Sequence, residues 1–207
     1  MSKRLSAKIA IGVTGASGSV LAQVLVGELL QIVERVYIVA TESGRKVCEF
    51  ELGNSTHNEF SLVQCLKGEV TEKYRQQLRI FGTEDLFAPI ASGSSVPDAM
   101  VVVPCSMGTL ARIATGQSTN LLERAADVVL KQRRRLIISP RETPLSIIHL
   151  RNMVSLTEAG AIMVPPMPGF YTKPKSVEDV VSFCVGRIIE ALDLPHELYP
   201  RWNPRMS

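Results

Sequence analysis

Residues 9–40, IAIGVTGASGSVLAQVLVGELLQIVERVYIVA, decide the fold. Ile9 to Val13 is a short apolar run, the pattern of a strand buried on both faces. Thr14-Gly15-Ala16-Ser17-Gly18 then breaks the run. From Val20 to Val33 the spacing is helical, with Val20, Leu21, Val24, Leu25 and Leu29 on one side. Val36 to Ala40 returns to the strand pattern. Strand, tight turn, helix and strand in succession place two parallel strands in one sheet.

The same alternation continues outward. A helix is expected over about 41–52, strands at Met100–Val103, Leu136–Ser139 and Ala161–Val164, and helices at about 108–115, 120–134, 145–159 and 176–192. Residues 53–98 are the least regular part, apart from a Ser-Gly-Ser-Ser turn at 92–95. The fold class expected is α/β, a doubly wound and mostly parallel sheet with helices on both faces. With 207 residues and no repeat or linker, one domain is expected over 1–207, with its core at about 8–193 and a tail at 194–207 packing near the site.

Composition narrows the function. The chain is 45% hydrophobic and 21% charged with a formal net charge of +3, too mild for a nucleic-acid binder. Cys48, Cys65, Cys105 and Cys184 are scattered, and His57, His149 and His196 lie far apart, so neither a zinc site nor a disulfide framework is expected. Met1-Ser-Lys-Arg leads almost at once into strand, with no signal-peptide core, and no apolar run approaches the ~20 residues of a membrane span. A cytoplasmic protein is expected.

In doubly wound sheets, ligands bind beyond the carboxyl ends of the strands. Gly15, Ala16, Ser17 and Gly18 follow the first strand and open a helix, which suits either a phosphate or a plain capping turn. Thr41 follows the second strand, and Ser106, Met107, Gly108 and Thr109 follow the third. Hydroxyls and bare backbone at three successive strand ends make a cradle for a mononucleotide. Arg124 and Lys131, seven residues apart, share a helix face, either as a solvated stripe or as part of a site. Pro140-Arg141-Glu142 puts a cation and a carboxylate at another strand end, as a local ion pair or as site residues. Arg187 falls in the stripe of Val180, Cys184, Ile188 and Ala191, where a cation needs an anion. It is read as waiting for an anionic ligand, with an internal carboxylate or snorkelling as alternatives. The proline-stiffened loop 165–171 presents Tyr171. No Asp-rich cluster is present to carry magnesium for a diphosphate, which points to metal-free chemistry on a monophosphate.

The segments Gly12–Gly18, Ala91–Ser95, Val103–Leu110, Asn120–Val128, Pro140–Pro144 and Pro168–Tyr171 resemble, in order and spacing, the flavin prenyltransferases of the UbiX type. The resemblance runs from about residue 8 to Trp202. It implies a flavodoxin-like, FMN-binding protomer in a large homo-oligomer, a dodecamer, with sites at subunit interfaces. The implied reaction joins dimethylallyl, from dimethylallyl monophosphate, to N5 of reduced FMN and then closes a ring onto C6. The product, prenylated FMN, would serve a UbiD-type decarboxylase. By motif, Gly15, Ala16, Ser17, Thr41, Ser92, Ser106, Met107, Gly108, Thr109 and Arg141 would bind FMN. Arg124, Lys131, Tyr171 and Arg187 would hold the prenyl phosphate, some from a neighbouring subunit. Ser17, Glu51, Lys131 and Glu142 match catalytic positions, and Trp202 a site-closing aromatic. Thr41 departs from the more common serine but keeps the hydroxyl. Two rivals share the architecture. An FMN-dependent decarboxylase would need a catalytic histidine that His57 does not match, and a non-catalytic FMN carrier would leave the cationic residues without a purpose.

Overall fold

The structure is a computed structural model and describes residues 5–53, 74 and 76–202, so His57 and Cys65 lie outside the described residues. In chain order the elements are β1 (Leu5–Val13), α1 (Ser19–Ile32), β2 (Val33–Ala40), α2 (Glu42–Leu52), β3 (Leu78–Phe81), β4 (Ala99–Cys105), α3 (Met107–Ala114), α4 (Leu121–Lys131), β5 (Arg135–Pro140), α5 (Ile147–Glu158), β6 (Ile162–Met163) and α6 (Val177–Ala191). The six strands are ordered β3-β2-β1-β4-β5-β6 and every pairing is parallel. Winding proceeds one way from β1 to β3 and the other way from β4 to β6. The crevice is therefore expected between the carboxyl ends of β1 and β4.

Strand residues alternate between two cores. Ile9, Ile11 and Val13 face a layer built from α1 and α6, with Leu25, Leu29, Val185 and Ile189. Ala10, Met100 and Val102 face the opposite layer, with Leu110 of α3 and Leu121, Leu122 and Val129 of α4. All seven residues of β4 are buried, as a central parallel strand requires.

Three boundaries differ from expectation for identifiable reasons. β2 starts at Val33, because that residue caps α1 in extended geometry and leaves no turn between the two elements. α4 ends at Lys131 and not near 134: Arg133 turns left-handed at φ 55°, and Arg134 N–H closes back onto the Val129 carbonyl. β3 was not expected at all. It is a four-residue edge strand without a buried residue, so it carries no apolar signature.

One buried ion pair ties α3 to α4. Glu123 is 0% exposed and accepts from Arg112 Nε and from the Thr119 amide and hydroxyl. Burial works to raise its pKa, but these donors together hold the carboxyl below its ordinary value. Glu123→Ala is expected to cost about 2 kcal/mol, read by chemical denaturation, because the Thr119 amide and hydroxyl lose their acceptor while part-exposed Arg112 turns to solvent. The sign of the pH effect follows from the lowered pKa. The pair's contribution is complete above the unfolded carboxylate value and is lost as pH falls through the folded one.

Candidate active site

Thr14 stitches the two sides of the crevice together. Its hydroxyl donates to the Pro104 carbonyl at 2.8 Å and accepts the Ser106 amide at 2.7 Å. The residue is buried, so β1 and β4 loops are held as one surface. Gly15 has no room for a side chain, since a Cβ there would lie 2.6 Å from Ser43. Thr41 caps α2, accepting from the Gly44 amide at 3.0 Å. Ser106 caps α3, accepting the Thr109 amide at 3.4 Å and donating to Thr109 Oγ1 at 3.1 Å. Ser92 shares a hydroxyl contact with Ser94 at 3.0 Å. The Arg141 amide donates to the Cys105 carbonyl at 3.1 Å, while its side chain is exposed. Cys105 itself is buried and its thiol is pushed up to about 12 by that burial, so it stays protonated.

The two helix starts facing this crevice differ. At α1 the amides of Gly18 and Ser19 both donate to the Glu51 carboxylate, at 3.0 and 2.8 Å to Oε2. The anion at the first helix start is thus a side chain of α2, and the phosphate reading of residues 14–18 gives way to a capped turn. Burial works to raise the Glu51 pKa, but the Ser17 hydroxyl and the two amides outweigh it and lower the value. The Ser17 hydroxyl stands beside this carboxylate, which is held ionised and is placed to orient it. At α3, by contrast, the amides of Met107 and Gly108 make no hydrogen bond among the described residues, and Gly108 is exposed. These are the donors an anion would find.

A cavity apart from this crevice lies along α6 and the chain that follows it, where Asp193 pairs with Arg135 at the amino end of β5. Tyr171, Arg187, Glu190, Asp193, Leu194, Tyr199, Arg201 and Trp202 line an open cavity of about 560 Å³. Tyr171 stands edge-on to Trp202 at 5.2 Å between ring centres and edge-on to Phe183 at 5.8 Å. The expected closing aromatic therefore sits beside the expected phenol. Arg187 corrects one expectation: it is not inside the apolar stripe but 55% exposed at its margin, paired with Glu190. The buried face of α6 is carried instead by Val181, Phe183, Cys184, Val185, Gly186, Ile188 and Ile189.

Other expected residues lie apart in this protomer. Arg124 is half-buried, donating from Nε to the Ala91 carbonyl at 3.1 Å and pairing with Asp127 at 2.9 Å. It braces the 91–95 turn. Lys131 is exposed at the end of α4, by the amino end of β5. Arg141 and Glu142 form no ion pair among the described residues; Glu142 Oε1 accepts the Thr143 amide at 2.9 Å. Residues 141–148 are all exposed, including Leu145, Ile147 and Ile148. Thr14, Glu190, His196, Tyr199 and Arg201 were not singled out from the sequence. The last three meet the site only through the return of the tail onto α6, which carries Glu190, and no local pattern announces that return.

Comparison with known proteins places this geometry. The Flavoprotein family model matches residues 2–189. The flavin prenyltransferase UbiX of Pseudomonas aeruginosa is 44% identical over 196 residues, covering 95% of this chain and 94% of that one. Crystallised AnUbiX in complex with FMN and dimethylallyl pyrophosphate is 38% identical, with a TM-score of 0.82 over 96% of this chain and 98% of that one. A dodecameric FMN-dependent UbiX-like decarboxylase from Escherichia coli is 37% identical, with a TM-score of 0.82 over 95% of this chain and 99% of that one. The peptidyl-cysteine decarboxylase EpiD, at 18% identity and a TM-score of 0.54, shares the fold alone. The chain belongs to the flavin prenyltransferase family of the UbiX type.

Proposed function

We propose that this protein transfers a dimethylallyl group from dimethylallyl monophosphate to N5, and then to C6, of reduced FMN, giving prenylated FMN. The observation that carries the proposal is the cavity lined by Tyr171, Arg187, Arg201 and Trp202, which joins guanidinium and phenol donors to aromatic walls. Such a lining suits an allylic phosphate: the cations meet the departing oxygen atoms and the rings meet the allyl unit.

FMN fits the crevice at the carboxyl ends of β1 and β4, which the cavity of a neighbouring copy would complete. Its phosphate would take the unpaired amides at the start of α3 with Ser106 and Thr109, and Arg141 would add charge. Gly15, Ala16 and Thr41 would border the rest of the nucleotide, with Ser92 on the turn beside it. The bound flavin supplies the nucleophilic N5 and C6.

The chain's own groups then have separate tasks. The allylic C–O bond breaks with its electron pair going to the phosphate, whose charge Arg187, Tyr171, Lys131 and Arg124 would neutralise without a metal. Ser17, oriented by ionised Glu51, would handle the N5 proton. On ring closure the prenyl double bond would take up a proton from the released phosphate, and Glu142 would accept the proton that leaves C6. Arg124 and Lys131 lie apart from Arg187 in one protomer, and residues 141–148 are exposed with apolar side chains among them. Both features favour sites completed by neighbouring copies, in a dodecamer. Among the described residues no helix is long and apolar enough to cross a membrane. A cytoplasmic enzyme that passes its product to a UbiD-type decarboxylase is the reading that follows.

The test is anaerobic incubation with reduced FMN and dimethylallyl monophosphate, following inorganic phosphate. One phosphate released per flavin consumed is expected. FMN binding with no phosphate release would favour a carrier, and would overturn the proposal.

A further inference from the structure

Arg187 is one of two arginines lining the cavity, and its side chain is 55% exposed and long enough to adopt many rotamers. What holds it is Glu190, one turn further along α6. Glu190 is in turn the most connected carboxylate of the cavity. His196 Nε2 lies 3.4 Å from Glu190 Oε1, and Arg201 Nη2 lies 3.9 Å from the same oxygen. The Tyr199 side chain adjoins both Glu190 and Arg187 and interacts electrostatically with each.

His196 is well fixed for this task. Its side chain is 1% exposed, and its Nδ1 accepts the Leu198 amide at 3.2 Å, which leaves the ring proton on Nε2, the atom on the Glu190 side. That nitrogen is buried and makes no hydrogen bond among the described residues, so its 3.4 Å approach to Glu190 Oε1 is an electrostatic contact. The ring packs against Tyr199 at 5.1 Å between ring centres, and Tyr199 against Phe183 at 4.6 Å, both pairs tilted. Gly186 makes this close approach possible, since a Cβ there would lie 2.5 Å from the Tyr199 ring and 2.8 Å from His196. The tail thus packs onto α6 where the helix has no side chain, and it grips the carboxylate one turn below.

We propose that Glu190 is a positioning residue for the donor phosphate: paired with Arg187 and set against buried His196, it fixes Arg187 so that the remaining guanidinium donors are aimed into the cavity. This rests on the reading of Arg187 as a phosphate-holding residue. Arginine carries five N–H donors, so Glu190 can occupy one edge and leave others for the phosphate oxygens. Fixing the side chain in advance removes rotamer entropy that donor binding would otherwise cost.

The alternative is that Glu190 merely competes with the phosphate for Arg187, and the two readings have opposite signs. Steady-state kinetics of the full-length protein with reduced FMN and varied dimethylallyl monophosphate separate them. Glu190→Gln is expected to raise KM for the donor about tenfold, with kcat within about twofold and FMN affinity unchanged. A donor KM that is unchanged or lower would overturn the proposal. Tyr199→Phe keeps the ring packing and removes the phenol, so a rise of about threefold is expected even if Glu190→Gln folds poorly. Arg187→Gln is the control. If it leaves the donor KM unchanged, the phosphate-site reading itself fails; if it raises KM while Glu190→Gln and Tyr199→Phe do not, only the positioning role fails.

Discussion

Replacing Glu142 by glutamine is expected to slow formation of the finished cofactor by about 100-fold or more while leaving FMN and the prenyl donor bound. The expectation follows from where the carboxylate stands and what glutamine retains. Glu142 follows directly on β5, at the carboxyl end of a strand beside the crevice, and its contact within the protomer is with its own neighbour's amide. Glutamine can keep that contact but cannot take a proton. Prenyl transfer to N5 does not need this base, so phosphate release should continue for a single turnover. Ring closure does need it, because the C6 proton must leave. Single-turnover mass spectrometry alone will not separate the open and closed products, which are isomers of identical mass, but their absorbance spectra will. A variant that makes ring-closed product at the normal rate would remove Glu142 from this role.

The second large effect is expected at Glu51. Glu51→Gln should lower turnover by about 100-fold, because the Ser17 hydroxyl loses the charged acceptor that orients it. It should also weaken the start of α1 by about 1 kcal/mol, since the Gly18 and Ser19 amides lose their carboxylate. Ser17→Ala separates the two consequences: it removes the hydroxyl and leaves the cap. The expected result is a similar loss of turnover with little loss of stability. The pH dependence has a definite direction. The folded-state pKa of Glu51 is lowered, so its contribution to stability is complete above the ordinary carboxylate range and is lost as pH falls through the folded value. A Glu51→Gln protein as active as the parent would contradict the assignment.

These residues also show how far the sequence could be read. The winding of the sheet was legible from Ile9–Val13, the helix after it and Val36–Ala40, because strands buried on both faces and amphipathic helices have different apolar periods. The strand ends were legible as hydroxyl-rich turns, and Thr41 and Ser106 do cap helices there. Edge strand β3 was hidden by its own exposure. Arg187 was placed in an apolar stripe because the stripe was drawn on one side of α6. The return of the tail over Gly186 makes the buried face broader and shifts it. The capture of the α1 amides by Glu51 joins residues 33 apart and depends on how α2 lies against α1. No local pattern encodes such an angle. The same applies to Glu190, His196 and Tyr199, each unremarkable in its own stretch of chain.

The most direct test of the central claim is the mass of the flavin after anaerobic incubation of the protein with reduced FMN and dimethylallyl monophosphate. The account predicts a flavin heavier by one C5 unit. Recovery of unchanged FMN from protein that binds both ligands would contradict it.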